Sequence, residues 1–241
     1  MLPSLSIVVP AFNEAHTIAT TIEDALEVAA EVAPTFEVLI CDDGSRDDTR
    51  AIVEGFVTRD PHVRLLARPR NRGIEASMRA LYARAQFEWI FLNSADRQWP
   101  MSVLTDMAAA CGEFDFVIGV RRNKREIYSP YRRVLSWSYE HVVRALGAPG
   151  GDPGSIKLAR RQFLHRPVVA QGVFAEGERV IRAARDGARI AEVPVEFRPR
   201  TAGRARGARG EVVLRAVFDA GRVVSSLTTG WPAPELPVPD V

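Results

Sequence analysis

Four short, largely apolar runs punctuate the first hundred residues, and each ends in a cluster of polar side chains. They cover residues 5–10, 36–41, 63–67 and 89–92. A short continuous apolar run is the mark of a strand buried on both faces, whereas a half-exposed strand alternates polar with apolar. The intervals carry a different period. In residues 15–32, Ile18, Ile22, Leu26 and Ala29 recur at helical spacing, and residues 49–58 and 74–85, the latter opened by Gly73, also read as helices. Strand and helix in alternation predict an α/β chain with a mainly parallel central sheet flanked by helices. Ligands collect at the carboxyl ends of the strands of such a sheet. There this sequence gathers Asn13 and Glu14, Asp42 and Asp43, the stretch 68–73 and the stretch 94–98.

The second half is less regular. Residues 114–120 and 190–197 read as strands, and 129–146, 177–186 (capped by Gly187) and 211–227 as helices. Residues 147–154 form a Gly/Pro-rich loop, 201–210 an Arg/Gly/Ala loop, and the Pro-rich stretch 232–241 is expected to be a disordered tail. A length of 241 residues suits one large domain, or one domain with a short appendage. The formal charge of +2 supplies no electrostatic footprint for nucleic acid. Of the 32 basic residues only Lys124 and Lys157 are lysines. The two cysteines, Cys41 and Cys111, do not make a disulfide scaffold, and Cys41 falls inside an apolar run, where a thiol is a small core group. No basic leader precedes the first strand, and no apolar run approaches the ~18–20 residues of a membrane span. The expectation is a cytoplasmic protein whose membrane contact is peripheral, on the inner face.

The motif Ile40-Cys41-Asp42-Asp43-Gly44-Ser45 is the most informative chemical feature. A buried strand delivers two adjacent carboxylates to its carboxyl end, Gly44 permits a tight turn, and Ser, Asp and Thr residues open the next helix. Helix capping accounts for Asp47 or Asp48 but leaves Asp42 unexplained.

In its motifs the chain resembles the family 2 inverting glycosyltransferases, and within them the dolichyl- or polyprenyl-phosphate sugar synthases. The resemblance runs through Ser6-Ile7-Val8-Val9-Pro10-Ala11-Phe12-Asn13-Glu14, Asp42-Asp43-Gly44-Ser45, Arg70-Asn71-Arg72-Gly73, Ala95-Asp96-Arg97-Gln98-Trp99-Pro100 and Gly119-Val120-Arg121. It continues in Glu192-Val193-Pro194-Val195 followed by Arg200-Thr201-Ala202-Gly203-Arg204-Ala205-Arg206. It implies a GT-A (Rossmann-like) nucleotide-diphospho-sugar transferase fold over residues 1–210. The nucleotide would be bound by residues 1–100 and the acceptor by 101–210, with an amphipathic helix at 211–231.

Site roles follow from the same resemblance. Pro10, Phe12, Glu14, Ile40 and Asp42 would hold base and ribose. Asp43, Asn71, Gly73, Ser94, Ala95 and Arg121 would complete the nucleotide-sugar contacts. Asp96 and Gln98 would hold Mg²⁺ or Mn²⁺, hard ions suited to oxygen ligands. Arg121, Arg200 and Arg206 would clamp donor or acceptor phosphates, and Asp152 would face the acceptor. Glu176 and Glu178 match acidic positions ahead of the last core helix. One departure stands out: the family's metal turn reads Asp-x-Asp, and here Ser94 takes the first place.

The reaction implied is inverting transfer of a hexose from a UDP- or GDP-sugar to polyprenyl phosphate. A soluble enzyme with a hydroxyl acceptor in a natural-product or surface-glycan pathway is the nearest alternative. The Ser94 departure raises another, a nucleotide-sugar binding protein without catalysis. A dinucleotide-dependent oxidoreductase is disfavoured because no Gly-x-Gly-x-x-Gly follows the first strand. Two segments bear on membrane contact: 127–146 mixes Tyr and Trp with Arg, and 212–227 places Leu214, Val217, Phe218, Val224 and Leu227 near one face.

Overall fold

The computed structural model describes residues 1–149, 151–198 and 210–229. Its strands are β1 (Leu5–Ala11), β2 (Phe36–Asp42), β3 (Val63–Ala67), β4 (Trp89–Leu92), β5 (Phe116–Arg121), β6 (Lys157–Arg160) and β7 (Ile190–Val195). Its helices are α1 (Ile18–Val32), α2 (Thr49–Arg59), α3 (Ile74–Arg84), α4 (Val103–Ala110), α5 (Lys124–Ile127), α6 (Pro130–Ala145), α7 (Arg161–Leu164), α8 (Ala175–Arg185) and α9 (Gly210–Thr229). The strands form one sheet in the order β3-β2-β1-β4-β6-β5-β7. Only β6 runs antiparallel to its neighbours, so the expected α/β architecture with a mainly parallel sheet is the one observed.

The continuous apolar runs are explained by the two layers they fill. Ile7 and Val9 of β1, Val38 and Ile40 of β2 and Phe91 of β4 pack under α1, α2 and α4. Their alternates Val8, Leu39, Cys41 and Ile90 pack on the other face under α3 and α8. Burial pushes the Cys41 thiol up to about 11, so it is a neutral core group, as its setting suggested. Both strand prolines sit where no ladder N–H is needed: Pro10 lies beyond the pairing of β1 with β4, and Pro194 is on the edge strand β7.

Several boundaries differ from the periodicity reading. α1 starts at Ile18 rather than at residue 15, because the Glu14 and Ala15 N–H groups are spent on Thr49 Oγ1 and Asp47 Oδ2 of the neighbouring turn. β7 stops at Val195, because the Phe197 backbone turns aside to bond Asn123 at both its N–H and its carbonyl. α4 and the short α5 and α7 were unassigned in the sequence, as was β6, whose pattern of Lys157 and Arg160 around two apolar residues resembles no buried strand. The loop 201–209 and the tail 232–241 lie outside the described residues.

α9 keeps the apolar stripe read in its sequence, without Leu227, and turns it outward. The face against the body carries Asp219, Val223 and Ser226, with Leu227 half-buried beside them. Asp219 Oδ2 accepts from the Gln171 and Gly172 N–H groups, and Ser226 Oγ accepts from Arg182 Nη2. Leu214, Val217, Phe218 and Val224 are exposed, and Leu227 does not share their face.

Candidate active site

The loops after β1 and β2 are sewn together. Asn13 adopts a left-handed backbone, φ 57°. Its N–H donates to Ser45 Oγ at 2.9 Å, and its Oδ1 accepts from the Arg46 N–H at 2.8 Å. Asn tolerates this conformation better than most residues because its short side chain can bond locally. At the end of β2, Asp42 is 1% exposed and its Oδ1 accepts from the Ser45 N–H at 3.1 Å.

Asp43 is committed to the next loop. Its Oδ1 accepts from the Arg72 N–H at 3.0 Å and from Arg68 Nη1 at 3.1 Å, and its Oδ2 from the Gly73 N–H at 2.8 Å. Arg68 is itself buried, with further bonds to Ser77 Oγ and the Ala76 carbonyl. Gly44 stands at φ 70°, and a Cβ there would lie 2.5 Å from the Arg70 carbonyl carbon. The Asp-Gly pair therefore fixes the position of Asn71 and Gly73 rather than presenting a second carboxylate. Gly73, at φ 89°, opens α3. Pro10, Phe12 and Glu14 are partly accessible beside this frame. Ile40 is 0% exposed within the core, so the base contact expected of its side chain is replaced by packing under α1 and α2.

The turn after β4 is held on Asp96. Ser94 Oγ donates to Asp96 Oδ1 at 2.5 Å, and the Gln98 N–H donates to the same oxygen at 3.2 Å. Asn93 is buried, with its amide on Met101 Sδ and on the Ser94 N–H. Ala95 is buried, and its carbonyl accepts from Thr21 Oγ1. Arg97 takes φ 55° and pairs with Asp24 at 3.1 Å. Gln98 is bridged to Arg198 in both directions, through its carbonyl at 2.8 Å and its Nε2 at 3.2 Å. The chain entering the undescribed stretch that contains Arg200 and Arg206 is thereby fixed to the Asp96 turn. No group of three or more His, Cys, Asp or Glu side chains able to hold a metal occurs among the described residues.

On the other side of the site, Arg121 lies among aromatic rings. Its guanidinium is 4.8 Å from the centroids of Trp99 and of Phe197, and it bonds the Tyr128 hydroxyl. Asp152, 4% exposed, sits 3.5 Å from Arg121 Nε and 3.2 Å from Lys124 Nζ. Behind it is a buried charge network that the sequence reading missed. Lys157 Nζ, with no exposed surface, donates to Glu176 Oε2 at 2.6 Å, and the Tyr82 hydroxyl to the same oxygen at 3.1 Å. Burial pushes the Glu176 carboxyl up, but Lys157 and Arg179 outweigh it and hold it below its ordinary range, ionised. Glu178 serves the loop before α8, accepting from the Val169 and Ala170 N–H groups. A signal for the network was present: both lysines of an otherwise all-arginine basic set contact carboxylates of this region.

These residues border two pockets that share Gly154 and Val173. The first, about 210 Å³, has Pro10, Asn93 and Ser94 on one wall and Ser155, Glu75 and Glu176 on another. The Ser155 hydroxyl is buried there without a hydrogen-bond partner, and Glu176 Oε1 is ion-paired with Arg179 Nε at 3.3 Å. The second, about 510 Å³, runs between α6 and α9, with Arg121, Arg132 and Asp152 among mainly apolar neighbours such as Leu135, Tyr139 and Phe174. A larger hollow of about 810 Å³ lies near the opposite end of β4, against Glu88, Arg160 and His165, and holds none of the expected residues.

Comparison with known proteins supplies a family and a fold. The sequence pattern of a family described as Glycosyl transferase family 2 matches residues 6–166. Glycosyltransferase AglD of Haloferax volcanii is 28% identical over 207 residues, covering 81% of this chain and 33% of its own length. Dolichol-phosphate mannosyltransferase of Mycosarcoma maydis is 26% identical over 218 residues, covering 85% of this chain and 74% of its own. The chain thus spans a third of the first relative and about three quarters of the second. Among solved structures, glucosyl-3-phosphoglycerate synthase from Mycobacterium tuberculosis in complex with Mn²⁺, uridine diphosphate and glucosyl-3-phosphoglycerate superposes with a TM-score of 0.68. That match is 17% identical and covers 94% of this chain and 79% of the other, a likeness of fold.

Proposed function

The chain belongs to glycosyl transferase family 2, and on that premise we propose that it moves a hexose from a UDP- or GDP-sugar to a polyprenyl phosphate, with inversion at the anomeric carbon. The observation that carries the reading is the pair of adjoining pockets. One is a sugar-sized hollow at the carboxyl ends of β1 and β4, and the other is a mainly apolar channel with Arg121 and Arg132 at its wall.

In this reading Pro10, Phe12, Glu14 and Asp42 receive the nucleoside, on a loop frame whose shape Asp43 sets. Asp96 and Gln98, with the Ser94 hydroxyl, would hold Mg²⁺ or Mn²⁺. One carboxylate and neutral oxygens fit an ion whose remaining ligands come from substrate phosphates and water. When bound, the ion offsets charge on the departing nucleoside diphosphate. The Ser155 hydroxyl would meet a sugar hydroxyl, since a buried polar atom without a partner costs free energy that a ligand can recover. Arg121, with Arg200 and Arg206, supplies guanidinium groups for phosphate. An acceptor phosphate oxygen attacks the anomeric carbon as its bond to the diphosphate oxygen breaks. The acceptor is already anionic, so no general base is needed.

A hydroxyl acceptor is the second reading, and the buried Asp152 at the channel wall favours it as a base. A lipid-borne acceptor would instead put the protein at the cytoplasmic face of a membrane.

Calorimetric titration with UDP and GDP, each with and without Mn²⁺ or Mg²⁺, tests the donor half. The expected outcome is metal-dependent binding of one nucleotide, weakened at least about tenfold in Asp96→Ala. Binding of neither would overturn the donor assignment. Binding without transfer to a polyprenyl phosphate would overturn the acceptor.

A further inference from the structure

We propose that α6 and α9 form one membrane-docking face that seats the opening of the acceptor channel on an anionic lipid surface. The inference rests on the lipid-phosphate reading of that channel. Twelve large hydrophobic side chains are exposed among the described residues, and nine of them lie on α6, on α9 or at Val173 between them. They include Tyr131, Val134 and Trp137 of α6 and Leu214, Val217 and Phe218 of α9, with Trp137 59% and Phe218 65% exposed. Both helices line the acceptor channel, and Val142, Val173 and Val217 belong both to this exposed apolar set and to the channel wall.

α9 shows that the exposure is not incidental. An amphipathic surface helix turns its apolar stripe to the core. This helix buries Asp219 and Ser226 in hydrogen bonds and turns Leu214, Val217, Phe218 and Val224 outward. Contiguous apolar surface of this kind marks a protein or membrane contact.

Charge selects between those occupants. Every described Asp, Glu, Lys or Arg side chain that is exposed on the two helices is an arginine: Arg133, Arg144, Arg215 and Arg222. Glu140 is drawn in against Lys124, and Asp219 is buried. A two-fold contact with a second copy would set this arginine-bearing face against itself with no exposed acidic partner among the described side chains of the two helices. An anionic leaflet supplies the missing charge, and Trp and Tyr suit its interfacial layer. A polyprenyl chain also exceeds a channel of about 510 Å³, so the rest of an acceptor needs an apolar medium at the opening. No helix among the described residues is long and apolar enough to cross a membrane, so contact through this face is interfacial.

Flotation of the full chain with vesicles of phosphatidylcholine, alone or with phosphatidylglycerol, tests the proposal. Co-flotation with the anionic vesicles is expected, reduced at least about tenfold in a Trp137→Ser, Phe218→Ser double variant whose nucleotide affinity is unchanged. No flotation, or equal flotation of the variant, would overturn it. So would a dimer in sedimentation that the variant converts to monomer. Transfer to a short, water-soluble isoprenyl phosphate is measured in parallel. Flotation without transfer leaves the docking face standing and removes the acceptor reading. Transfer without flotation does the reverse.

Discussion

At the ends of β1 and β2 the polypeptide is sewn to itself by hydrogen bonds between backbone N–H groups and short side chains, whereas around Asp152 the site is assembled from long charged side chains reaching across gaps. On the donor side Asn13, Ser45, Asp43 and Thr49 each engage a loop other than their own, at 2.8–3.0 Å. On the acceptor side Lys124 reaches both Glu140 and Asp152, Arg121 reaches Asp152 at 3.5 Å, and Lys157 reaches Glu176. Short side chains bonded to backbone surrender little rotamer entropy and hold one shape. Long side chains surrender more and can exchange partners. The contrast matches the two substrates proposed: a nucleotide presented to a fixed frame, and a phosphate entering among cations that already have partners.

The sharpest way to break that comparison is at Asp43. Asp43→Ala strips the 72–73 loop of its anchor and leaves the Arg68 guanidinium buried without its carboxylate. Removing one partner of a buried pair costs about 3–5 kcal/mol. Urea unfolding should show a loss of that size, and UDP or GDP affinity should fall with it. A loss under about 1 kcal/mol would mean that the frame does not depend on this carboxylate.

How much of this was legible in the sequence follows the same division. β1 to β4 and the helices between them could be read because β1, β2 and β4 are covered on both faces, so burial writes itself as a largely apolar run. Asp42 and Asp43 looked alike there, yet one ends a strand at the site and the other holds a loop. Nothing local to Cys41-Asp42-Asp43-Gly44 says that Arg68 will lie against the second carboxylate. Past residue 100 the signal weakens for a physical reason. β6 carries a buried lysine neutralised by Glu176, and α9 buries an aspartate that accepts backbone N–H groups, so hydropathy misleads at both. The apolar stripe of α9 was visible as a stripe, but which way it faced depended on Gln171, Gly172 and Arg182, far off in the chain.

A smaller change sharpens the comparison on the acceptor side. Asp152→Asn keeps the shape of the side chain and removes its charge from beside Arg121 and Lys124. Nucleotide affinity should be unaffected. With an anionic phosphate acceptor, kcat should stay within about tenfold of the parent, because no proton must be removed; a base acting on a hydroxyl acceptor would show as a loss of about 10²–10⁴. Steady-state transfer assays with each acceptor class decide between them.

The smallest expected effect concerns how the acceptor side of the sheet is tied together. Asp115, just before β5, accepts from Arg189 through its N–H, Nε and Nη2, and from Arg160 Nε, joining the approaches to β5 and β7 to the end of β6. The Arg189 hydrogen bonds, set against modest burial and helped by Arg160, hold its carboxyl at about 2. A depressed folded-state value means that the unfolded chain takes up protons first as pH falls. The stabilisation is therefore complete above the ordinary carboxylate range near 4 and is lost as pH falls through about 2. Arg189 is 61% exposed, so screening keeps the contribution to no more than about 1 kcal/mol. Asp115→Asn should lower stability by that amount at neutral pH and flatten the acid limb of urea midpoints plotted against pH. Salt should weaken the parent toward the variant, because the tie is an exposed ion pair. The Asp43 frame should respond to salt far less, because its charges are buried and its strongest bonds run to backbone.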